Sequence, residues 1–67
     1  MAHEIDVYRA SDEHMLRGYL AAVSHRMPDG RRRTALFKCD LSAQSTAFQM
    51  REGLVASGER VIVRNLL

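Results

Sequence analysis

Cys39 is the first candidate for nucleophilic chemistry, because a thiolate is a strong nucleophile. It is the single cysteine among 67 residues. A cysteine acts as a nucleophile when a nearby histidine or a helix N-terminus stabilises its thiolate. The sequence instead alternates Cys39 with Phe37 and Leu41 on the apolar side of a predicted strand. We therefore expect Cys39 to be a small buried apolar residue. One cysteine also excludes an intramolecular disulfide and a cysteine-rich zinc site.

The spacing of the three histidines predicts no metal site. His3, His14 and His25 are eleven residues apart, whereas two histidines that bind one ion from a helix are about four residues apart. No two carboxylates are paired by pattern on a concave surface, as general acid and base catalysis requires. The four glycines are scattered, so the sequence has no phosphate-binding loop. We expect no metal ion, no cofactor and no enzymatic activity.

The first half of the chain predicts a strand followed by a long helix. Residues 3–9 alternate Ile5 and Val7 with polar residues, the period-two pattern of a strand. Ser11 is a predicted N-cap for a helix over residues 12–26, which carries apolar residues at three- and four-residue steps. We expect Pro28 and the Asp-Gly pair after it to end this helix in a turn.

The second half predicts a strand, a helix and a further strand. Residues 32–41 alternate polar and apolar side chains, and residues 59–66 do so with many β-branched residues. Between them, a helix capped by Asp40 or Ser42 is predicted to reach Ser57 and to end at Gly58, which tolerates the positive φ of a helix C-terminus.

This order of elements predicts one small α/β domain over residues 1–67, an α+β-like two-layer sandwich. Its three-stranded sheet would have the order β-α-β-α-β with both helices on one face, since each crossover between parallel strands is right-handed. Parallel sheets rarely leave a face bare. The uncovered face is therefore the most informative feature that the sequence predicts.

The charge of the chain is +2, and it is unevenly distributed. Residues 1–13 hold four acidic residues and one arginine, whereas residues 26–38 hold five basic residues and one acidic residue. The basic residues form a local cluster that suits an acidic partner. The predicted uncovered face mixes such cations with apolar groups: Glu4, Asp6, Tyr8, Arg32, Thr34, Leu36, Lys38, Arg60, Ile62, Arg64 and Leu66.

Two functions fit this face, next to the alternative that its charges are simply solvated beside Glu4 and Asp6. The first is a non-enzymatic protein-interaction or regulatory module that forms a homodimer and engages an acidic protein partner. Its predicted partner-binding residues are Arg31, Arg32, Arg33, Leu36, Lys38, Arg60, Ile62 and Arg64.

The second is a nucleic-acid-binding accessory protein, in which arginines contact phosphates and Tyr8 stacks on a base. Its predicted contact residues are Tyr8, Arg32, Lys38, Arg60 and Arg64. The sequence has one strand aromatic here and lacks the aromatic-rich motif of RNA-binding sheets. No apolar stretch is long enough for a membrane span and no signal-peptide pattern is present, so we expect a cytoplasmic protein without a membrane partner.

Overall fold

The chain folds into four strands and two helices. The computed structural model describes all residues, Met1–Leu67. Its elements in chain order are β1 (His3–Arg9), α1 (Asp12–Leu16), β2 (Ala21–Arg26), β3 (Arg32–Phe37), α2 (Asp40–Ala56) and β4 (Val61–Asn65). Neither helix is long and apolar enough to cross a membrane.

The four strands form one mixed sheet in the order β3-β2-β1-β4. β1 pairs antiparallel with β2 and parallel with β4, and β2 pairs antiparallel with β3. α2 packs across one face of this sheet, where Ala43 and Ala47 bring the helix close to the strands. The opposite face has no helix on it.

The predicted three-stranded β-α-β-α-β sheet with two helices on one face is wrong. The helix predicted over residues 12–26 ends at Leu16, and residues Ala21–Arg26 form β2. The chain reverses at Gly18, which has a φ of 94°, a conformation that glycine adopts readily. The apolar residues that the sequence placed along one long helix are therefore divided between α1 and β2.

The sequence of β2 resembles that of a helix because apolar and polar residues do not alternate along it. Ala21, Ala22, Val23 and Ser24 are all buried, since β2 lies between β1 and β3 and its small side chains are covered on both faces. A continuous apolar run of this kind fits a helix or a central strand equally well. The turn after Pro28 forms as predicted, but it joins two strands, and Asp29 accepts a hydrogen bond from the Arg31 backbone at 3.0 Å.

The start of α2 also differs from the prediction. Cys39, and not Asp40 or Ser42, is the N-cap, and its Sγ accepts a hydrogen bond from the Ser42 backbone N–H at 3.4 Å. The strand predicted over residues 32–41 therefore stops at Phe37. Cys39 is exposed, so its predicted place in the core is wrong. Ser11 caps α1 as predicted, and Gly58 has a φ of 81° beyond the end of α2.

The core of this fold is thin. Nine of 67 residues are buried, and Ile5 and Val7 are the largest side chains among those that are fully enclosed. Most of the other buried residues are alanines. Apolar side chains on the outer surfaces are correspondingly numerous, and exposed apolar patches of this kind often mark binding surfaces.

Candidate functional site

The face of the sheet opposite α2, called the open face here, is the candidate site. Strand register places its side chains in three rows across the strands. From the β3 edge to the β4 edge, the first row is Arg32, Arg26, Glu4 and Ile62, the second is Thr34, Ser24, Asp6 and Arg64, and the third is Leu36, Ala22 and Tyr8, with Leu66 just beyond β4.

An ion-pair cluster joins the first and second rows at the β4 side of the open face. Arg64 donates from Nε to Asp6 at 2.7 Å, and its Nη2 donates to Asp6 and to Glu4, each at 3.1 Å. The hydrogen bonds to Asp6, and then the charge of that carboxylate, raise the pKa of Arg64. These bonds tie the Nε and Nη2 atoms of Arg64 to the carboxylates of β1 and leave its Nη1 atom without a hydrogen bond.

The first row ends in a pair of arginines that form no ion pair, although Glu4, which pairs with Arg64, lies opposite Arg26 on β1. Arg26 and Arg32 are direct cross-strand neighbours, both are exposed, and neither forms an ion pair. Arg60 lies at the same end of the sheet, since its carbonyl accepts a hydrogen bond from His3. Like charges directly opposite on a sheet destabilise it. An external carboxylate here would relieve that repulsion.

A shallow hollow adjoins these arginines. It has a volume of about 440 Å³, lies between the β2–β3 turn and the start of β1, and includes Arg26, Glu4 and Ile62 in its wall. Apolar wall atoms come from Met27, Pro28 and the N-terminal residues. The hollow therefore offers apolar contact next to free guanidinium groups.

The third row is apolar. Leu36 and Tyr8 are half-buried on either side of the small Ala22, and Leu66 is 65% exposed. The Leu66 backbone donates to the Val7 carbonyl at 2.7 Å, which holds the end of the chain beside β1. Apolar groups close to arginine are a composition enriched in protein interfaces.

The structure brings together part of the predicted partner-binding set. Arg32, Leu36, Ile62 and Arg64 share the open face, as the strand pattern predicted. Arg33 lies on the other face opposite His25, Arg31 is bound to Asp29 at 2.7 Å, and Lys38 follows β3 at the far end. For the nucleic-acid alternative, Tyr8 is the one aromatic residue in the three rows.

Arg26 was missed by the sequence reasoning because the predicted helix included it. Ala22 and Ser24, which lie between the outer strands on the open face, were missed for the same reason. Gly18 was the available signal, since a glycine within a predicted helix weakens that prediction.

Hydrogen bonds lower the pKa of the Cys39 thiol, but no histidine or carboxylate is hydrogen-bonded to it. Hydrogen bonds from the Ser42 side chain and backbone lower the pKa of Cys39. Its Sγ lies 2.9 Å from the Ser42 Oγ, and no histidine or carboxylate forms a hydrogen bond with it. A general base for acyl transfer is therefore missing from its surroundings.

A histidine pair lies at the His3 end of the sheet, on the α2 side. His3 Nδ1 and His25 Nε2 are 2.8 Å apart, and His3 Nε2 lies 3.5 Å from Glu59. Burial, followed by the charges of His3 and Arg33, lowers the pKa of His25. The two imidazoles share one hydrogen bond, the Glu59 carboxylate lies at ion-pair distance from His3, and no group of three or more His, Cys, Asp or Glu residues is arranged to hold a metal ion.

No protein-family model, no curated protein and no solved structure matches the chain.

Proposed function

We propose that this chain is a non-enzymatic protein-interaction module of regulatory type, which forms a homodimer and binds an acidic, partly apolar protein surface with its open face. One observation carries the proposal: the uncovered side of the sheet presents two arginines without an ion pair in one row and an apolar row four residues further along each strand. An exposed free thiol at Cys39 favours a reducing compartment, and we propose a cytoplasmic location.

The arginine row defines the chemistry of the partner. Arg26 and Arg32 lie side by side, and each can donate two parallel hydrogen bonds to a carboxylate. An acidic side chain placed between them satisfies both guanidinium groups and removes their repulsion. We therefore infer that the partner carries one or more carboxylates opposite this end of the sheet.

The apolar row defines the second part of the partner surface. Leu36 and Tyr8 flank Ala22, so the row has a shallow depression between two larger side chains. Apolar side chains of a partner would gain about 25 cal/mol for each Å² that they bury there. The partner is thus acidic opposite the first row and apolar opposite the third.

Self-association is supported by the thin core. Chains of this length bury about 60% of the surface that they expose when unfolded, which leaves them marginal in stability. Here Ile5 and Val7 are the largest fully enclosed side chains, while Phe48, Ile62 and Leu66 are each more than half exposed. A second copy would supply burial that one chain lacks.

The test is an NMR titration of the protein with an eight-residue peptide of alternating glutamate and leucine. We expect saturable binding, with shifts confined to the open face. Arg32→Glu should weaken the affinity by about tenfold or more, as expected for a lost charge-assisted hydrogen bond. The matched control is Arg33→Glu, because Arg33 is its neighbour on the opposite face. Equal losses in the two variants, or no saturable binding, would contradict the proposal.

Nucleic acid is tested in the same experiment with a ten-residue oligothymidylate. The proposal expects weak binding that is insensitive to Arg32→Glu. Tight binding on the open face, with an affinity that falls steeply with salt, would replace the protein partner by a single-stranded nucleic acid.

A further inference from the structure

The outer edge of β4 is an unpaired strand edge. β4 pairs in parallel with β1. At its two ends, the Arg60 carbonyl accepts a hydrogen bond from the His3 backbone N–H, and the Leu66 backbone N–H donates a hydrogen bond to the Val7 carbonyl. Residues at even positions of β4 therefore bond to β1, and the backbone groups of Val61, Val63 and Asn65 point away from the sheet. Such a row of free N–H and C=O groups is a template for another strand.

An apolar groove runs beside this edge. It has a volume of about 360 Å³ and lies between α2 and β4, with Phe48 on one wall and Val61 and Val63 on the other. Phe48 is 56% exposed and Val63 is 39% exposed. Leu41 and Val55 flank Phe48 at seven-residue spacing along α2, which places all three on one side of the helix.

The centre of α2 lies beside the centre of β4. α2 begins near the end of β1, where Asp40 is 3.8 Å from Arg9, and it ends near the start of β1, where Glu59 lies 3.5 Å from His3. It therefore runs opposite to β4, and Phe48 in its middle lines the same groove as Val63 in the middle of β4. A two-fold axis through Val63 then brings Phe48 towards Phe48 of the second copy.

We propose that a second copy of this chain pairs with the outer edge of β4, antiparallel and with Val63 opposite Val63. The two sheets become continuous, both helices lie on the same side, and the two apolar grooves merge over the axis. This inference rests on the homodimer of the proposed function and specifies its surface. Of the open face, only the β4 side chains Ile62 and Arg64 take part in this contact, and Arg26, Arg32, Leu36 and Tyr8 remain available to an acidic partner.

The charges of β4 select this register. With Val63 on the axis, Arg64 lies opposite Ile62 of the second copy. Hydrogen bonding requires odd positions to face odd positions, so the neighbouring registers are shifted by two residues. One of them places Arg64 opposite Arg64, and the other places Arg60 opposite Arg64. Like charges directly opposite are destabilising, so the edge is complementary to itself in one register.

Disulfide cross-linking tests the register. Single cysteines replace Ile62, Val63 or Arg64 in a Cys39→Ser background, which removes the native thiol and keeps a good N-cap. We expect Val63→Cys to form covalent dimers under mild oxidation at least tenfold faster than the other two. In the proposed register, positions 62 and 64 meet their own copies only diagonally, at about 7–8 Å, beyond the usual reach of a disulfide.

Exposure alone predicts the opposite order of rates. Ile62 is 51% exposed and the Arg64 side chain 53% exposed, against 39% for Val63, so random collisions would make Val63→Cys the slowest. Fastest cross-linking at position 62 or 64, or rates that follow exposure, would overturn the inference.

Light scattering separates the failure of this site from failure of the homodimer. We expect the wild-type chain at 100 µM to have twice the 7.6 kDa mass of one chain, and Val63→Lys to have the monomer mass with an unchanged circular dichroism spectrum. Leu16→Lys, at an 89% exposed position in α1, is the control and should remain a dimer. A wild-type monomer overturns both the homodimer and this site. A dimeric Val63→Lys variant overturns this site and leaves the homodimer standing.

Discussion

Replacing Ile5 by alanine tests the thin core that underlies both proposals. Ile5 has no exposed surface, and it lies in β1 between the partner strands β2 and β4 under α2. Removing a buried isoleucine side chain beyond Cβ costs about 2–5 kcal/mol. A chain of 67 residues has a total stability of about 3–10 kcal/mol at about 0.05–0.15 kcal/mol per residue. The substitution should therefore remove about half of the free energy of unfolding.

The assay is urea denaturation followed by circular dichroism at a fixed protein concentration. The concentration must be fixed because dimer formation makes apparent stability depend on it. Leu16→Ala is the control, since Leu16 is 89% exposed and its loss should change stability by less than about 0.5 kcal/mol. A loss below about 1 kcal/mol for Ile5→Ala would refute the reasoning, because it would mean that the centre of the core lies elsewhere.

Three further predictions concern the backbone, the histidine pair and the thiol. Gly18→Ala should lower the free energy of unfolding by about 1–2 kcal/mol in urea, because Gly18 has a φ of 94°; an unchanged stability would contradict the chain reversal. His25 has its pKa lowered from 6.5 by burial and by neighbouring charges that include His3. The unfolded chain therefore binds the proton first, so this contribution to stability is complete above pH 6.5 and is lost as the pH falls towards the folded-state pKa. His25→Gln should flatten the fall in urea midpoint over that range, and an equal slope in the variant would exclude His25 as its source. The pKa of Cys39 is lowered by hydrogen bonds from the Ser42 side chain and backbone, so iodoacetamide should modify it at a lower pH than the unfolded chain, and Ser42→Ala, which keeps the backbone N–H, should reduce the difference.

The parts of the fold that the sequence predicted are those where local chemistry and tertiary structure agree. Ile5 and Val7 alternate with polar residues because β1 has one face under α2 and one face open. Ser11 and Gly58 mark helix ends through their own hydrogen bonding and backbone freedom. These signals are local, so they remain valid although the predicted topology was wrong.

The error in topology came from β2, where tertiary contacts determine the structure. Ala22 and Ser24 are buried on the open face by neighbours from β1 and β3, and nothing in their own sequence shows that cover. Cys39 was misplaced in a similar way, because alternation with Phe37 continued the strand pattern past the point where its thiol caps α2.

The candidate site could be predicted in part for the same reason. The face on which Leu36, Ile62 and Arg64 lie follows from strand periodicity alone, whereas the ion pairs of Arg64 depend on the parallel pairing of β4 with β1. Arg26 joins Arg32 only because the segment containing it is a strand.

The central claim is that the chain uses two different surfaces, the β4 edge for a second copy and the open face for a partner. The most direct test is NMR of the methyl groups in the presence of a soluble gadolinium chelate, which broadens signals of surface groups. We predict that Leu36 on the open face is broadened to the extent of its exposure in a single chain, whereas Val63 is protected although it is 39% exposed in a single chain. Protection of Leu36 together with strong broadening of Val63 would show that self-association occupies the open face, and it would contradict the account.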